Sequence, residues 1–392
     1  MKSNYKRLGN YIREVNTRNR DLTITKLMGV NINKYFMPSV ANIIGTDMSN
    51  YKVVTHNQFA CNLMHVGRDE KIPLAIQTTD EAIIVSPAYF VFDVINKNEL
   101  LPEYLMMWFL RAEFDRNAWF YTDADVRGGM NKSDLFDMTL PIPSIEKQME
   151  IVAEYETLTR RITLNQQLCA KLEETEKAIY KKLFVNDIDV ENLPDGWRMG
   201  NLLDLVEVID GDRGSNYPNG NDFQDEGYCL FLNAGNVTKN GFNFTQNSFI
   251  LEQKDKILKK GKLKRFDIVF TTRGTVGNSA FYNKYIPFDN IRINSGMVIM
   301  RNTDKRIIPF VYIMLRTFDV KKQIENYLSG SAQPQLPIKD MTQIPIIIPK
   351  KSIILSISEK ISTMLCQVDI LNVENDKLKE LLTLLLAKMG VH

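Results

Sequence analysis

The sequence predicts a mixed α/β (α+β) protein made of two similar globular domains, each followed by a long helix. Two heptad patterns of nearly equal length lie 206 residues apart, and a short apolar strand with a proline precedes each one. The segments between these patterns also repeat, weakly but in the same order. With 392 residues, 44% of them hydrophobic and 24% charged, the chain has enough material for more than one core.

Apolar residues recur in alternating steps of four and three from Ile151 to Leu183, and again from Ile357 to Met389. Such a seam is typical of helices that pack on a partner along their whole length. Neither proline nor glycine interrupts residues 144–184 or 350–389. We therefore expect two helices that form an antiparallel coiled coil in a chain with pseudo-twofold symmetry. Polar residues at Asn165, Glu176 and Asn375 either fix the register of this seam or face solvent at frayed points.

The repeat continues into the globular segments. Arg7–Asn10 matches Arg198–Asn201 at an offset of 191, and Pro102 and Pro309 each begin an apolar helical stretch. This internal duplication predicts a first domain at 1–143, a long helix at 144–184, a linker at 185–195, a second domain at 196–348 and a second long helix at 349–392. The predicted strands are 52–55, 82–86, 88–94, 268–272 and 297–300, and the predicted helices inside the domains are 103–111 and 310–327.

Charge is distributed unevenly between the two domains. Residues 1–143 hold 16 basic and 16 acidic side chains, net zero, whereas residues 196–348 hold 20 and 15, net +5. The densest basic run extends from Lys254 to Arg265. Basic clusters of this kind either contact nucleic acid or form a solvated face, and the sequence leaves both open.

Motifs for catalysis are missing from the sequence. It has no GxxxxGK[ST] phosphate loop, no GxGxxG motif after a strand, no Pro-Pro pair and only three histidines. Glu252 and Lys254 with Asp222 or Asp225 resemble a nuclease pattern that is common by chance. We expect a binding protein without metal or cofactor. The polar N-terminus, the lack of a long apolar run and four widely spaced cysteines predict a cytoplasmic protein.

Three local motifs, together with the layout, are similar to DNA-specificity subunits of type I restriction-modification systems. Leu140–Gln148 resembles the IPxPPxxEQ passage with which these subunits begin their first long helix. Leu193–Trp197 resembles the LPxGW start of a target recognition domain, and Gly330–Leu336 resembles the GSxQ stretch near its end. The chain departs from the pattern at Ser144 and Lys147, and its first domain has Val126–Asn131 in place of GSxQ.

The resemblance implies a non-catalytic subunit that binds double-stranded DNA. Each recognition domain would read one half of a bipartite target, and the helix pair would set the spacer between the halves. The implied partners are two methyltransferase subunits, which would bring S-adenosylmethionine, and motor-nuclease (restriction) subunits, which would bring Mg/ATP. The alternatives are a recognition module that acts with a type II restriction-methylase, and a coiled-coil scaffold without a DNA role.

DNA contacts require side chains that neutralise phosphates or donate to base edges, such as Arg to guanine and Asn or Gln to adenine. Arg273 is a strong candidate because it follows a strand and precedes a glycine-rich turn. The aromatic residues Trp119, Phe120 and Tyr121 are interpreted as core rather than as a base-stacking surface. The full set of candidate DNA contacts is Lys34, Arg68, Arg127, Asn131, Lys132, Arg213, Lys239, Arg273, Asn278, Arg292, Ser331, Gln333 and Gln335.

Overall fold

The computed structural model describes residues 5–39, 45–64, 66–122, 128–186, 188–330, 334–341 and 343–390. The chain forms two compact units. Unit 1 comprises Met1–Thr163 and Asn375–His392, and unit 2 comprises Leu164–Glu374. Each long helix contributes to both units. The units thus differ from the five segments predicted along the sequence, whose boundaries stay a prediction.

Unit 1 contains the first domain. Its strands are β1 Tyr5–Arg7, β2 Ile12–Glu14, β3 Met28–Val30, β4 Phe36–Pro38, β5 Lys52–Val54, β6 Phe59–Cys61, β7 Leu74–Ile76, β8 Ile83–Val85, β9 Phe90–Val94 and β10 Thr139–Pro141. Its helices are α1 Val66–Asp69, α2 Pro102–Phe109, α3 Ala112–Phe120 and α4 Lys132–Asp137. The first long helix, α5, follows directly as Ile145–Phe184.

Unit 2 contains the second domain. Its strands are β11 Arg198–Asn201, β12 Glu207–Asp210, β13 Cys229–Leu232, β14 Val237–Thr238, β15 Gly241–Phe242, β16 Phe249–Ile250, β17 Ile268–Thr271, β18 Ser279–Phe281, β19 Ile291–Ile293, β20 Met297–Arg301 and β21 Pro345–Ile348. Its helices are α6 Glu252–Ile257, α7 Ile308–Arg316, α8 Phe318–Glu325 and α9 Ile338–Met341, and the second long helix is α10, Lys351–Lys388.

The two domains share a sheet topology. In unit 1 a four-stranded antiparallel sheet has the order β2-β9-β6-β7, and in unit 2 the order is β12-β20-β17-β18. In both, the first strand of the domain pairs with the last, β1 with β10 and β11 with β21. The predicted internal duplication is therefore confirmed as a repeated fold.

Strand register corrects one detail of the repeat. Lys6 pairs with Leu140 and Gly200 pairs with Ile346. Because Leu140 and Ile346 are 206 residues apart, Lys6 corresponds to Gly200, which is an offset of 194. The predicted offset of 191 is wrong because a four-residue match does not define register, whereas pairing along a strand does.

The two long helices are antiparallel, as predicted. In unit 1, Ile151 and Val152 near the start of α5 share a buried cluster with Met389 just beyond the end of α10. In unit 2, Tyr180 and Phe184 at the end of α5 share a cluster with the start of α10, through Ile354, Ile357 and Ile361. Every residue of the predicted seams is at least half-buried except Leu183, because Phe184 takes its place in the core.

Polar residues of the seam are buried rather than frayed. In unit 1 this holds for Asn375, and in unit 2 for Asn165 and Glu176. Burial raises the pKa of Glu176 to about 7, against the opposing effect of the nearby Arg316, and its Oε1 atom has no hydrogen-bond partner among the described residues. Burial also raises the pKa of Asp369 on α10 to about 7, and this carboxylate accepts a hydrogen bond from Asn283 Nδ2 at 2.5 Å.

The structure has two helices where the sequence predicted one. The stretch predicted at 310–327 divides into α7 and α8 because Thr317 between them is extended, with φ −73° and ψ 152°. The other sequence-predicted strands and helices are present within one or two residues. None of the helices in the described part of the chain combines the length and apolar content that crossing a membrane requires.

The raised pKa of Glu176 predicts how stability depends on pH. The folded state keeps a proton on this carboxyl that the unfolded chain releases at lower pH, so stability falls as pH rises from about 4.5 to about 7. Between pH 5 and pH 8, we expect the free energy of unfolding of the wild type to fall by roughly 2–3 kcal/mol more than that of Glu176→Gln. Urea unfolding at the two pH values measures the difference. The control is Glu174→Gln, an exposed carboxylate of the same helix. An equal pH dependence in wild type and Glu176→Gln would contradict the burial argument.

Candidate nucleic-acid interface

Several loops of unit 2 meet at one end of its four-stranded sheet. Thr271 at the end of β17 pairs with Met297 at the start of β20, and Asp210 at the end of β12 pairs with Val298. The loop after β12, the loop between β17 and β18 and the segment before β20 therefore lie side by side. We call this group the reading end of the second domain.

The loop between β17 and β18, residues 272–278, is its centre. The backbone amides of Thr272 and Arg273 both donate to the Gly296 carbonyl, at 2.8 and 3.2 Å. Gly274 and Gly277 have φ of +72° and +91°, which side chains other than glycine rarely adopt, and a Cβ at either position would meet no atom within 4 Å. The turn is thus tight and open on its outer side, so a ligand backbone can approach it.

A second segment borders this loop. The Gly274 amide donates to the Pro334 carbonyl at 3.3 Å, and the Leu336 amide donates to the Thr272 carbonyl at 2.9 Å. Arg273 and Gln335 are partners in an isolated β-bridge. The glycine-rich turn and the stretch that resembled GSxQ are therefore adjacent. Ser331 and Gln333 of that stretch lie outside the described residues.

The candidate side chains of the reading end differ in their exposure and in the partners that they already have within the protein. Arg273 is exposed and its guanidinium has no partner among the described residues. Arg213 is held by Asp210, at 3.1 Å, and donates to the Ser295 carbonyl at 3.4 Å. Asn278 is half-buried and its amide donates to the Val237 carbonyl, two residues before the exposed Lys239. Arg273 is thus the candidate best placed to bind a ligand.

Two further basic residues belong to the reading end. The backbone amides of Lys259 and Lys260 donate to Asp212 Oδ2, at 2.7 and 3.3 Å, and this places them beside the Arg213 loop. Both side chains are exposed and have no ion pair within the described part of the chain. The two lysines were not among the predicted DNA contacts, although both belong to the basic run from Lys254 to Arg265 that indicated a possible nucleic-acid contact. Four other members of the run form ion pairs, namely Lys254, Lys256, Lys262 and Arg265.

Arg292 is a correction to the predicted set. Its side chain is only 6% exposed, and Nε donates to Asp255 Oδ1 at 2.6 Å. The remaining guanidinium nitrogens donate to the carbonyls of Asp255, Leu258 and Lys260. Four of the five N–H donors of this buried guanidinium are satisfied inside the protein, so the group is not available to a base or a phosphate. Arg292 therefore joins α6 to the sheet and is not proposed as a DNA contact.

Lys34 in the first domain is a correction of the same kind. Its ammonium group lies 2.7 Å from Asp115 Oδ1 and also donates to the Phe109 carbonyl. Burial lowers the pKa of Lys34, an effect that the Asp115 carboxylate opposes. With its side chain 4% exposed, this lysine connects the β3–β4 turn to α3 in the interior and cannot reach a nucleic acid.

The first domain repeats the arrangement of the reading end. The Met130 amide donates to the Leu63 carbonyl at 2.9 Å, as Leu336 does to Thr272, and the Gly67 amide donates to the Gly128 carbonyl at 2.7 Å. In both domains, therefore, the loop after the third strand of the sheet is hydrogen-bonded to the segment before a short helix. A Cβ at Gly67 would lie 2.7 Å from Gly128 Cα, so this contact requires glycine.

The predicted contacts of the first domain surround this pair of segments. Arg68 is exposed and forms an ion pair with the adjacent Asp69, at 2.7 Å. Asn131 is exposed at the start of α4. Lys132 pairs with Glu14 at 2.7 Å and lies 5.0 Å from the centre of the Phe90 ring. Arg127 lies outside the described residues. Arg68, Asn131 and Lys132 stay predictions, with less free charge than the second domain offers.

Trp119, Phe120 and Tyr121 are exposed, so their interpretation as core is wrong. Phe120 is 81% exposed, Trp119 48% and Tyr121 46%. The buried face of α3 consists of Phe114, Asp115 and Ala118, and the end of the helix projects beyond it. Sequence spacing did not reveal this because three consecutive aromatic residues occupy all faces of a helix end.

Comparisons with known proteins also associate the second domain with DNA. Residues 194–383 match the model of the type I restriction modification DNA specificity domain. No curated protein matches the chain.

Among solved structures, the S subunit of a type I restriction-modification system from M. genitalium is similar, with a TM-score of 0.57, 15% identity and coverage of 98% of this chain and 95% of that chain. A chain from a study of the assembly and conformational transition of the type I R-M system has 18% identity and a TM-score of 0.48, over 98% of this chain and 97% of that one. The first of these similarities shows a shared fold. Residues 194–383 thus form a domain of the type I restriction modification DNA specificity family.

Proposed function

We propose that this chain is the non-catalytic specificity subunit of a type I restriction-modification complex. Each domain reads one half of a bipartite DNA target, and the helix pair sets the spacer between the halves. The observation that carries the proposal is the repeated reading end. Both domains place a glycine-containing loop against the segment before α4 or α9, at the same end of equivalent sheets.

The second domain supplies more of the electrostatic affinity. Its reading end carries Arg273, Lys259 and Lys260 without ion pairs in the described structure, and its net charge is +5 against zero for the first domain. Free basic side chains displace counterions from DNA phosphates, which makes binding strong and sensitive to salt. The first domain contributes fewer charges and depends more on other contacts.

The chemistry of the complex belongs to partner subunits. The sequence lacks the motifs of methyltransferases and of ATP-dependent motors, so S-adenosylmethionine and Mg/ATP are expected on the methyltransferase and restriction subunits. A DNA-modifying complex of this kind works in the cytoplasm. The chain itself contributes recognition and a surface on which the partners assemble.

The outer faces of the long helices are the proposed docking surface for two methyltransferase subunits. On α10, two pairs of apolar side chains are exposed, one pair in each unit, and the members of each pair are three residues apart. On α5, Leu164 and Leu168 are exposed one turn apart. Apolar side chains exposed in rows are typical of protein interfaces. The exposed residues of α10 are Ile370, Val373, Leu381 and Leu384.

The function is tested by expressing the chain with its methyltransferase and sequencing the methylated adenines. We expect one motif of two defined halves and an unread gap, and no methylation by the chain alone. Duplexes with this motif then serve for titrations of Arg273→Ala. A loss of about 1–3 kcal/mol at one base of one half-site indicates base reading, and an equal loss on all sequences with a shallower salt dependence indicates phosphate contact.

The matched control is Arg306→Ala, which removes an exposed arginine before α7, near the opposite end of the sheet. It should bind the duplex as wild type does. Methylation without a defined motif, or methylation by the chain alone, would contradict the proposed function. Unchanged affinity and specificity in Arg273→Ala would remove this residue from the interface.

Docking on the helices is tested separately. We expect Leu381→Glu with Leu384→Glu to abolish copurification of the methyltransferase and motif methylation, because charge on an apolar interface must be desolvated. Binding of the chain to the motif duplex should be unchanged. Leu251→Glu, an equally exposed leucine before α6, is the control and should retain the partner. Normal copurification of the doubly substituted chain would place the docking surface elsewhere.

A further inference from the structure

The end of α3 in the first domain presents an aromatic surface to solvent. Phe120 is the most exposed of the large hydrophobic residues identified on the described chain, at 81%, and Trp119 and Tyr121 flank it. The rings of Phe120 and Tyr121 pack edge to face, with centroids 5.7 Å apart and planes at 83°. Rings held against each other at a helix end form a preorganised surface, and exposed aromatic surface of this size is typical of a binding site.

This aromatic end is continuous with the reading end of the first domain. Thr122, the second residue after α3, forms a β-bridge with Met130, and its hydroxyl donates to the Trp119 carbonyl at 2.7 Å. A Cβ at Gly67 would lie 3.2 Å from Thr122 Oγ1. The aromatic residues therefore adjoin the segments that carry Arg68 and Asn131. DNA lying along these segments would meet Phe120 as well.

The described part of the second domain has no such aromatic helix end. Its corresponding helix, α8, ends at Glu325 and is capped by Asn326, where α3 ends at Phe120 and is capped by Tyr121. The second domain instead has the excess positive charge and the unpaired Arg273. The aromatic surface thus occurs in the domain whose net charge is zero. Stacking of an aromatic ring on a nucleobase does not require a charged side chain.

We propose that Phe120, supported by Tyr121, is an aromatic wedge that stacks against a base step of the half-site read by the first domain. This rests on the proposed function. Aromatic and apolar wedges of DNA-binding proteins enter a base step from the minor groove and bend the duplex. Phe120 provides the inserted ring, and the edge-to-face contact with Tyr121 holds its orientation. Because Arg68 and Lys132 form ion pairs with Asp69 and Glu14, stacking supplies affinity that free charge does not supply in this domain.

The wedge is tested in the full chain with its methyltransferase, on fluorophore-labelled duplexes that carry the motif found by methylation sequencing. Affinity and the end-to-end distance of the bound duplex are measured for wild type, Phe120→Ala and Phe120→Trp. We expect Phe120→Ala to bind about 10- to 100-fold more weakly, as for the loss of one stacked base, and to leave the duplex straighter. Phe120→Trp keeps the stacking surface and should restore both.

Phe318→Ala is the matched control, because Phe318 is 76% exposed at the start of α8, the helix that corresponds to α3 in the second domain. It should bind and bend the duplex as wild type does. If wild type is specific and Phe120→Ala equals it in affinity and bend, the wedge is refuted while the proposed function stands. Intact DNA binding with loss of the methyltransferase would also refute it and make the surface a protein contact. Wild type without motif-specific binding would overturn both proposals.

Discussion

The structure depends on one constraint, which is that neither long helix can be stable by itself. A helix of about 40 residues with a continuous apolar seam must bury that seam. Here α5 and α10 bury it against each other and also in the domain cores. Ile151 and Met389 belong to the core of unit 1, and Phe184 and Ile357 belong to that of unit 2. In each unit, therefore, residues of both long helices are part of the same core as the globular domain.

The repeated domains show how one fold carries two kinds of surface. Hydrogen bonds between backbone atoms position both reading ends, through Leu336 with Thr272 and Met130 with Leu63. Because these bonds use no side chains, the side chains of the loops are free to differ. The second domain places Arg273 and two lysines there, and the first places Phe120 beside its loops. The proposed reading of two different half-sites requires this separation of scaffold from side chain.

The heptad spacing of apolar residues and the positions of the prolines predicted most of the architecture. The seams, the prolines before the helices and the apolar strands are local patterns, so helix bounds and the duplication followed from sequence. Side-chain roles did not follow, because they depend on partners far along the chain. Lys34 pairs with Asp115, 81 residues away, and Arg292 pairs with Asp255, 37 residues away. Arg273 has the same chemical signal as Arg292 in sequence, and only tertiary structure distinguishes the buried arginine from the free one.

The length of the paired helices is the most direct test of the account. One heptad is removed from each helix at facing positions, which shortens the pair by about 10 Å. Methylated motifs are then sequenced in cells that carry the shortened chain and its methyltransferase. At about 3.4 Å per base pair, we expect the same two half-sites with a gap about three base pairs shorter. An unchanged gap in a folded, active shortened chain would contradict the claim that the helix pair sets the spacer.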